Sequence, residues 1–372
     1  MSKFAKKLDF FVIVPAVLIS TMGLVTMASF SGDSNFFGKQ VLFICISLLA
    51  MYGAMKIDLR LFKRQNHIVY VYLITLTLLL GLFVFGKAIN GAKSWYDFGF
   101  FSFQPSDLMK LVLIIILAKY FSRRHTQIAY FRHILISGVY AIIPFILIFL
   151  QPDFGSALVI FLIWFGMILI SGISKKHLII VGSIMLVTSL FTYFFIFEDY
   201  QRDRIATFIN PLSDIQGAGY NAYQSTIAVG SGQLLGKGIG YGTQSRLKYL
   251  PEYQTDFIFA AFAEEWGFVG EVLLILLYTV LISRILNYAI LSSSNFERLF
   301  ALGVAVYFMG HIIVNIGMNI GLMPVTGIPL PFMSYGGSHL LIEYICIGFL
   351  VGTLAYRRGA HKEDYEKEFV GI

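Results

Sequence analysis

Asp256 closes a long polar stretch, 198–255, and stands at the mouth of an apolar segment in Leu250-Pro251-Glu252-Tyr253-Gln254-Thr255-Asp256-Phe257. The same stretch carries Arg202, Arg204, Lys237, Arg246 and Lys248. A carboxylate brought to the edge of an apolar phase among five cations suits chemistry on an anionic ligand. The competing reading is structural, with Asp256 or Thr255 as the N-cap of the helix that follows. Asp107 and Lys110 form a second candidate. Pro105 and Ser106 are good helix-start residues, which puts Asp107 in the first turn and Lys110 at i+3. That spacing allows a simple ion pair on the helix dipole. It also buries an ionisable group in an apolar helix, and such groups usually face a partner or a cavity. Asp153, in Gln151-Pro152-Asp153-Phe154-Gly155, is either a cap or a ligand group.

Two runs constrain the backbone itself. Between 324 and 338 lie Pro324, Pro329, Pro331, Gly327, Gly336 and Gly337, so this run cannot continue a helix. Non-helical backbone at membrane depth is tolerated where it is buried in protein or lines a wet cavity. Ser334 and Tyr335 could therefore face a polar ligand, or the run could be a rigid plug. The glycine-rich run 230–242 matches neither a P-loop nor a dinucleotide fingerprint and has no preceding strand; it is expected to form tight turns. Glu264, Glu265 and Glu271 follow Asp256 within one apolar segment. Carboxylates there must face an interior or a partner.

The elements that position these groups are membrane helices. Of 372 residues, 57% are hydrophobic and 13% charged, with a mean hydropathy of +0.76, which excludes an ordinary soluble globule. Ten segments are apolar enough to be spans: 9–29, 40–56, 67–86, 107–121, 134–150, 155–172, 177–197, 256–283, 299–322 and 338–356. The expected class is an all-α polytopic membrane protein, one domain over 1–372, with a long extracytoplasmic loop 198–255 and a short tail 357–372. The first segment is too long, and too poor in a cleavage site, to be a removable signal. Cations concentrate on one set of alternate connections, among them Lys56, Arg60, Arg123, Lys176, Arg298 and Arg357. By the positive-inside rule both termini are cytoplasmic. The net charge of +7 then reflects topology and anionic lipid, not nucleic acid. Cys45 and Cys346 lie in apolar runs and suggest neither a disulfide nor a metal site.

Several blocks resemble the SEDS (shape, elongation, division, sporulation) family. They are Phe103-Gln104-Pro105-Ser106, Gln151-Pro152-Asp153-Phe154-Gly155, Gly219-Tyr220 with Gln224-Ser225, Leu250-Pro251-Glu252 with Thr255-Asp256-Phe257, and Gly327-Ile328-Pro329-Leu330-Pro331 with Ser334-Tyr335-Gly336-Gly337. They occur in family order and span most of the chain. Gly242-Thr243-Gln244-Ser245 looks like the elongation branch of that family. The resemblance implies a peptidoglycan glycosyltransferase that polymerises lipid II, paired with a class B penicillin-binding protein. It puts Asp256 on the family's essential carboxylate and Asp107 and Lys110 on its charged pair. Asp107 stands where Glu is usual, Ser94 where many members have Arg, and Gln254 where His is common.

On this reading Asp256 is the base for an acceptor hydroxyl. Lys110, Lys93, Arg204, Arg246 and Lys248 hold diphosphate, and Asp107, Asp153, Glu252, Ser334 and Tyr335 line the substrate site. No cofactor is evident; a divalent cation, Mg or Mn, could share the work, but no ligand cluster has metal spacing. A lipid II flippase and a non-catalytic scaffold for the cross-linking enzyme are the other readings.

Overall fold

A computed structural model describes residues 9–29, 34–64, 67–89, 92–99, 101–123, 131–196, 202, 206–208, 219–247 and 249–369. The helices are α1 (Phe10–Ser29), α2 (Ser34–Ala54), α3 (Arg60–Arg64), α4 (His67–Phe85), α5 (Pro105–Ser122), α6 (Phe131–Phe149), α7 (Phe154–Ile170) and α8 (Lys175–Phe191). They continue with α9 (Tyr220–Ser231), α10 (Thr243–Arg246), α11 (Ile258–Leu291), α12 (Asn295–Asn319) and α13 (Gly337–Phe369). A helix covers each of the ten expected segments. Among the described residues, seven are long and apolar enough to cross a membrane, and α7 and Gly337–Thr353 of α13 are shorter apolar helices. The tenth, α5, carries Asp107, Lys110 and Lys119. The protein is a multi-pass membrane protein.

The expectation of helices alone needs one addition. Between α4 and α5 lies a small antiparallel sheet in the order β1 (Lys87–Ile89), β2 (Ala92–Asp97), β3 (Ser102–Phe103). Its register pairs Lys87 with Trp95 and Tyr96 with Phe103. Aromatic residues favour a pleated, half-buried surface, and Tyr96 ties the sheet to α4 by donating its hydroxyl to Leu78 O at 2.8 Å. Gly81 makes room, since a Cβ there would come within 2.4 Å of that hydroxyl. Lys87 pairs with Asp97; that bond, with a further one from Gly99 N, holds the exposed Asp97 carboxyl below the usual carboxylate range.

The centre of the bundle is α5, buried along nearly its whole length and packed by α4, α7 and α12. Around it, α1 packs on α11 and α2 on α13. Polar clasps close one end of the bundle. Arg284 Nε lies 2.8 Å from Asp9 Oδ2, joining α11 to the start of α1, and Arg60 Nε lies 2.8 Å from Glu297 Oε1, joining α3 to α12. Asp256 precedes the other end of α11, a helix of 34 residues and so about 50 Å long.

That helix is broken. Gly267 has φ 63° and ψ −170°, outside the helical region and in one that a residue with a Cβ rarely adopts. A break leaves orphan backbone groups, which are costly in an apolar phase. The glycine-rich run satisfies them. Phe268 N and Val269 N donate to Gln233 O and Leu234 O at 2.9 and 3.1 Å, while Lys237 N and Gly238 N donate to Glu264 O and Glu265 O at 3.0 and 3.1 Å. The run expected to form turns does turn at 232–235, and it also pairs with the broken helix. The expected long loop therefore contains a helix, α9, packed on α11 and α12.

Candidate functional site

Asp256 lies in the turn 251–257 and is half-buried. The N-cap of α11 is Phe257, with no capping bond from its side chain, so neither Asp256 nor Thr255 occupies the position the capping reading required. The turn folds on Glu252, whose φ is +50°. Thr255 N and Phe257 N both donate to Glu252 O, at 3.1 and 3.2 Å, and Thr255 Oγ1 donates to Glu252 Oε2 at 3.0 Å. Glu252 thus shapes the turn from within.

Two other elements meet this turn. The proline-rich run lies against it: Tyr335 N donates to Gln254 O at 2.8 Å, and Ser334 Oγ donates to Thr255 O at 2.7 Å. Gly327 passes beside the carboxylate, where an added Cβ would lie 3.5 Å from Asp256 Oδ2. Ser334 was expected to face a ligand. It is buried instead, and its hydroxyl also accepts from Leu330 N at 2.8 Å. Tyr335 stays half-buried, its ring edge-on to Phe36 at 5.0 Å.

From below, α12 presents a polar stripe. His311, Asn315 and Asn319 recur every four residues on one face of this apolar helix, and all three are fully buried. His311 Nδ1 lies 3.0 Å from Pro329 O. Asn315 Nδ2 donates to Ile328 O at 2.7 Å and to Asp256 O at 3.0 Å, and Asn319 Nδ2 donates to Asp256 O at 3.1 Å. These residues were missed in the sequence, although the four-residue spacing was a readable signal.

Asp107 and Lys110 lie in the interior. Lys110 Nζ is 3.0 Å from Asp107 Oδ1 and both side chains are buried, so Lys110, expected to hold an anionic ligand, is engaged by a carboxylate of the protein itself. A second pair from α13 joins them. His339 Nδ1 is 3.6 Å from Asp107 Oδ1, and His339 Nε2 is 2.7 Å from Glu343 Oε1. Glu343 Oε2 accepts from Phe332 N at 2.8 Å, where the proline-rich run has φ +62°. The cluster therefore reaches the same run that braces the Asp256 turn. His339 and Glu343 were also missed, although their spacing is i,i+4.

The remaining expected residues are dispersed. Asp153 caps α7 through Ser156 N at 3.0 Å and accepts from Gln104 Nε2 at 2.9 Å, so it links the starts of α7 and α5. Lys93 and Arg246 are exposed, and neither side chain forms an ion pair among the described residues. Arg204 and Lys248 lie outside the described residues. Glu264 is buried and accepts from Lys237 Nζ at 2.7 Å, Thr243 N at 2.8 Å and Gln244 N at 3.1 Å. Glu265 accepts from Ser29 Oγ and Gly240 N, at 2.5 and 2.8 Å. These two carboxylates anchor the chain's own glycine-rich run, while Glu271 is half-buried. Among the described residues, no group of three or more His, Cys, Asp or Glu could hold a metal ion.

What the arrangement offers is one half-buried carboxylate on a turn braced by the proline-rich run and by α12. Known proteins share this architecture. Residues 3–359 match the family model described as "Cell cycle protein", whose name joins FtsW, RodA and SpoVE. Stage V sporulation protein E of Bacillus subtilis (strain 168) is 36% identical over 94% of this chain and 98% of that one. Peptidoglycan glycosyltransferase MrdB of Escherichia coli (strain K12) is 34% identical over 92% of this chain and 91% of that one. A chain from a solved structure described as "Structural coordination of polymerization and crosslinking by a peptidoglycan synthase complex" matches with a TM-score of 0.80 at 29% identity. It covers 94% of this chain and 98% of that one.

Proposed function

The chain belongs to the cell cycle protein family of FtsW, RodA and SpoVE, and on that premise we propose that it is a peptidoglycan glycosyltransferase. It joins lipid II units into glycan strands at the outer face of the cytoplasmic membrane, in cell elongation and shape maintenance. The relative MrdB is named as a peptidoglycan glycosyltransferase. The observation that carries the reading here is Asp256, a half-buried carboxylate whose turn is held by the proline-rich run and by α12.

In the proposed reaction Asp256 takes the proton from the 4-hydroxyl of the acceptor sugar. That oxygen bonds to the anomeric carbon of the donor. The bond from that carbon to the diphosphate oxygen breaks, and the lipid diphosphate leaves with the electron pair. Cations stabilise the developing phosphate charge: the exposed Lys93 and Arg246, with Arg204 and Lys248 in the same role. Asp153, Glu252 and Tyr335, half-buried, line the proposed substrate site, and the buried Asp107, Lys110 and Ser334 support it. Mg or Mn could share the charge. The active form works beside a class B penicillin-binding protein, as the solved relative belongs to a complex that couples polymerization to crosslinking. Both termini face the cytoplasm.

The test is polymerisation of purified lipid II by the purified chain, with and without its partner. Asp256→Asn is expected to lower the rate by about 10²- to 10⁴-fold, the usual worth of a positioned base. An equal rate in the variant would remove Asp256 from that role. The broken α11 and the buried Asp107–Lys110 pair of α5 favour one second reading, a lipid flippase. Translocation of labelled lipid II in liposomes without polymer formation would decide for it.

A further inference from the structure

Three consecutive carbonyls precede α11, and each is held by a group from outside the turn. Gln254 O accepts from Tyr335 N at 2.8 Å. Thr255 O accepts from Ser334 Oγ at 2.7 Å. Asp256 O accepts from Asn315 Nδ2 and Asn319 Nδ2, at 3.0 and 3.1 Å. A turn of seven residues, 251–257, would ordinarily leave such carbonyls to water.

Asn319 does more than hold a carbonyl. Its Oδ1 accepts from Ala260 N at 3.2 Å, the third residue of α11 and one of the amides that a helix leaves without an internal partner. An N-cap side chain normally takes this amide; Phe257, at the N-cap, cannot. Ser225 Oγ of α9 sits 3.1 Å from the same Oδ1 and 2.9 Å from Asn319 O. The second amide hydrogen goes to Asn315 O at 2.8 Å. An amide has two donors and two acceptor sites, and here all four are engaged. The orientation of the group is forced, because reversing it would aim NH2 at Ala260 N–H and an oxygen at Asp256 O.

We infer that Asn319 is a positioning residue, one that caps α11 from α12 and fixes the main chain that carries Asp256. Asp at this place would keep the cap and lose the donors to Asp256 O and Asn315 O. A Leu of similar size would leave Ala260 N unpaired in a buried site and Asp256 O with Asn315 as its one donor of the two. The catalytic part of this inference rests on the proposed glycosyl transfer. The structural part does not, and the experiment separates them.

Asn319→Ala and Ser225→Ala are compared with the parent in lipid II polymerisation and in hydrogen exchange of peptides covering 254–262. For Asn319→Ala, kcat is expected to fall about 10²-fold, the cost of displacing a reacting group by about 1 Å. KM stays within about twofold, because Asn319 is buried beneath the turn. Exchange is expected to quicken about fivefold or more at 258–261, the loss of a typical cap, with the rest of the chain unchanged. Ser225→Ala, which keeps both asparagines, gives a smaller change in the same direction and serves if Asn319→Ala does not fold. Unchanged exchange at 258–261, a loss carried by KM, or a loss of protection throughout the chain overturns the inference. A parent that makes no polymer sinks the proposed function instead, and the exchange readout still decides whether Asn319 caps α11.

Discussion

Asp107 is the group on which Lys110 and His339 converge, at 3.0 and 3.6 Å, with all three side chains buried. The removal of one partner from a buried pair leaves an uncompensated charge and costs about 3–5 kcal/mol. Asp107→Asn takes from Lys110 its carboxylate partner and from His339 one of two, the other being Glu343, whereas Lys110→Met leaves His339 in contact with Asp107. Asp107→Asn is therefore expected to be the more destabilising. The double variant is expected to lose less than the sum of the single ones, because it removes the pair instead of orphaning half of it. Thermal unfolding of the four proteins in detergent checks this, and a strictly additive double variant would mean that the pair is not coupled in the folded protein. The Asp107–Lys110 pair was legible in the sequence because its partners are three residues apart on one helix. The bond that Ala260 N donates to Asn319 was not legible, since it joins residues 59 positions apart and nothing local marks it. The stripe of His311, Asn315 and Asn319 is the intermediate case: its spacing shows a face but not what that face meets.

The break in α11 shows how an element can be misread when its composition is uniform. Trp266-Gly267-Phe268 sits in an apolar run without a proline, so hydropathy gives one continuous span. The structure instead inserts 233–238 beside the break and repairs four backbone bonds. The repair demands a close approach at Gly267, where an added Cβ would fall 2.2 Å from Gly236 N, with Leu235 C at 2.7 Å. Gly267→Ala also forces a Cβ into φ 63° with ψ −170°, a region essentially restricted to glycine. Both effects act in one direction, and the expected destabilisation is at least about 2–4 kcal/mol, combining backbone strain of about 1–3 kcal/mol with displacement of the inserted run. Gly182→Ala in α8 is the control. Nothing lies within 4 Å of its added Cβ, and Ala is a better helix former than Gly by about 1 kcal/mol. A melting temperature lowered by Gly267→Ala and held or raised by Gly182→Ala fits this account. If both variants melt with the parent, the inserted run does not hold the break. The small sheet before α5 escaped the sequence for a different reason: strands of three and two residues are too short to show alternation, and the six residues of β2, Ala92-Lys93-Ser94-Trp95-Tyr96-Asp97, do not alternate.

Orientation is a property of the whole molecule, and hydropathy alone says nothing of it. The number of spans sets which connections share a side; the cations set which side that is. The clasps Arg284–Asp9 and Arg60–Glu297 lie at one end of the bundle, and the Asp256 turn lies at the opposite end of α11. A cytoplasmic location for the first end puts the proposed catalytic turn outside, where a lipid-linked substrate meets it. Site-directed labelling tests this with residues whose exposure is known. In a Cys45→Ser background, chosen because Cys45 is exposed and Cys346 buried, single cysteines replace the exposed Lys93, Arg246, Lys176 and Arg298. A membrane-impermeant maleimide added to intact protoplasts is expected to label Lys93→Cys and Arg246→Cys. Lys176→Cys and Arg298→Cys are expected to react only after the membrane is opened. The reverse pattern would put Asp256 on the cytoplasmic side and remove the premise of an extracellular polymerase. Labelling of Lys93→Cys and Lys176→Cys from the same side would instead mean that the number of spans between them is even, contrary to the ten-span reading.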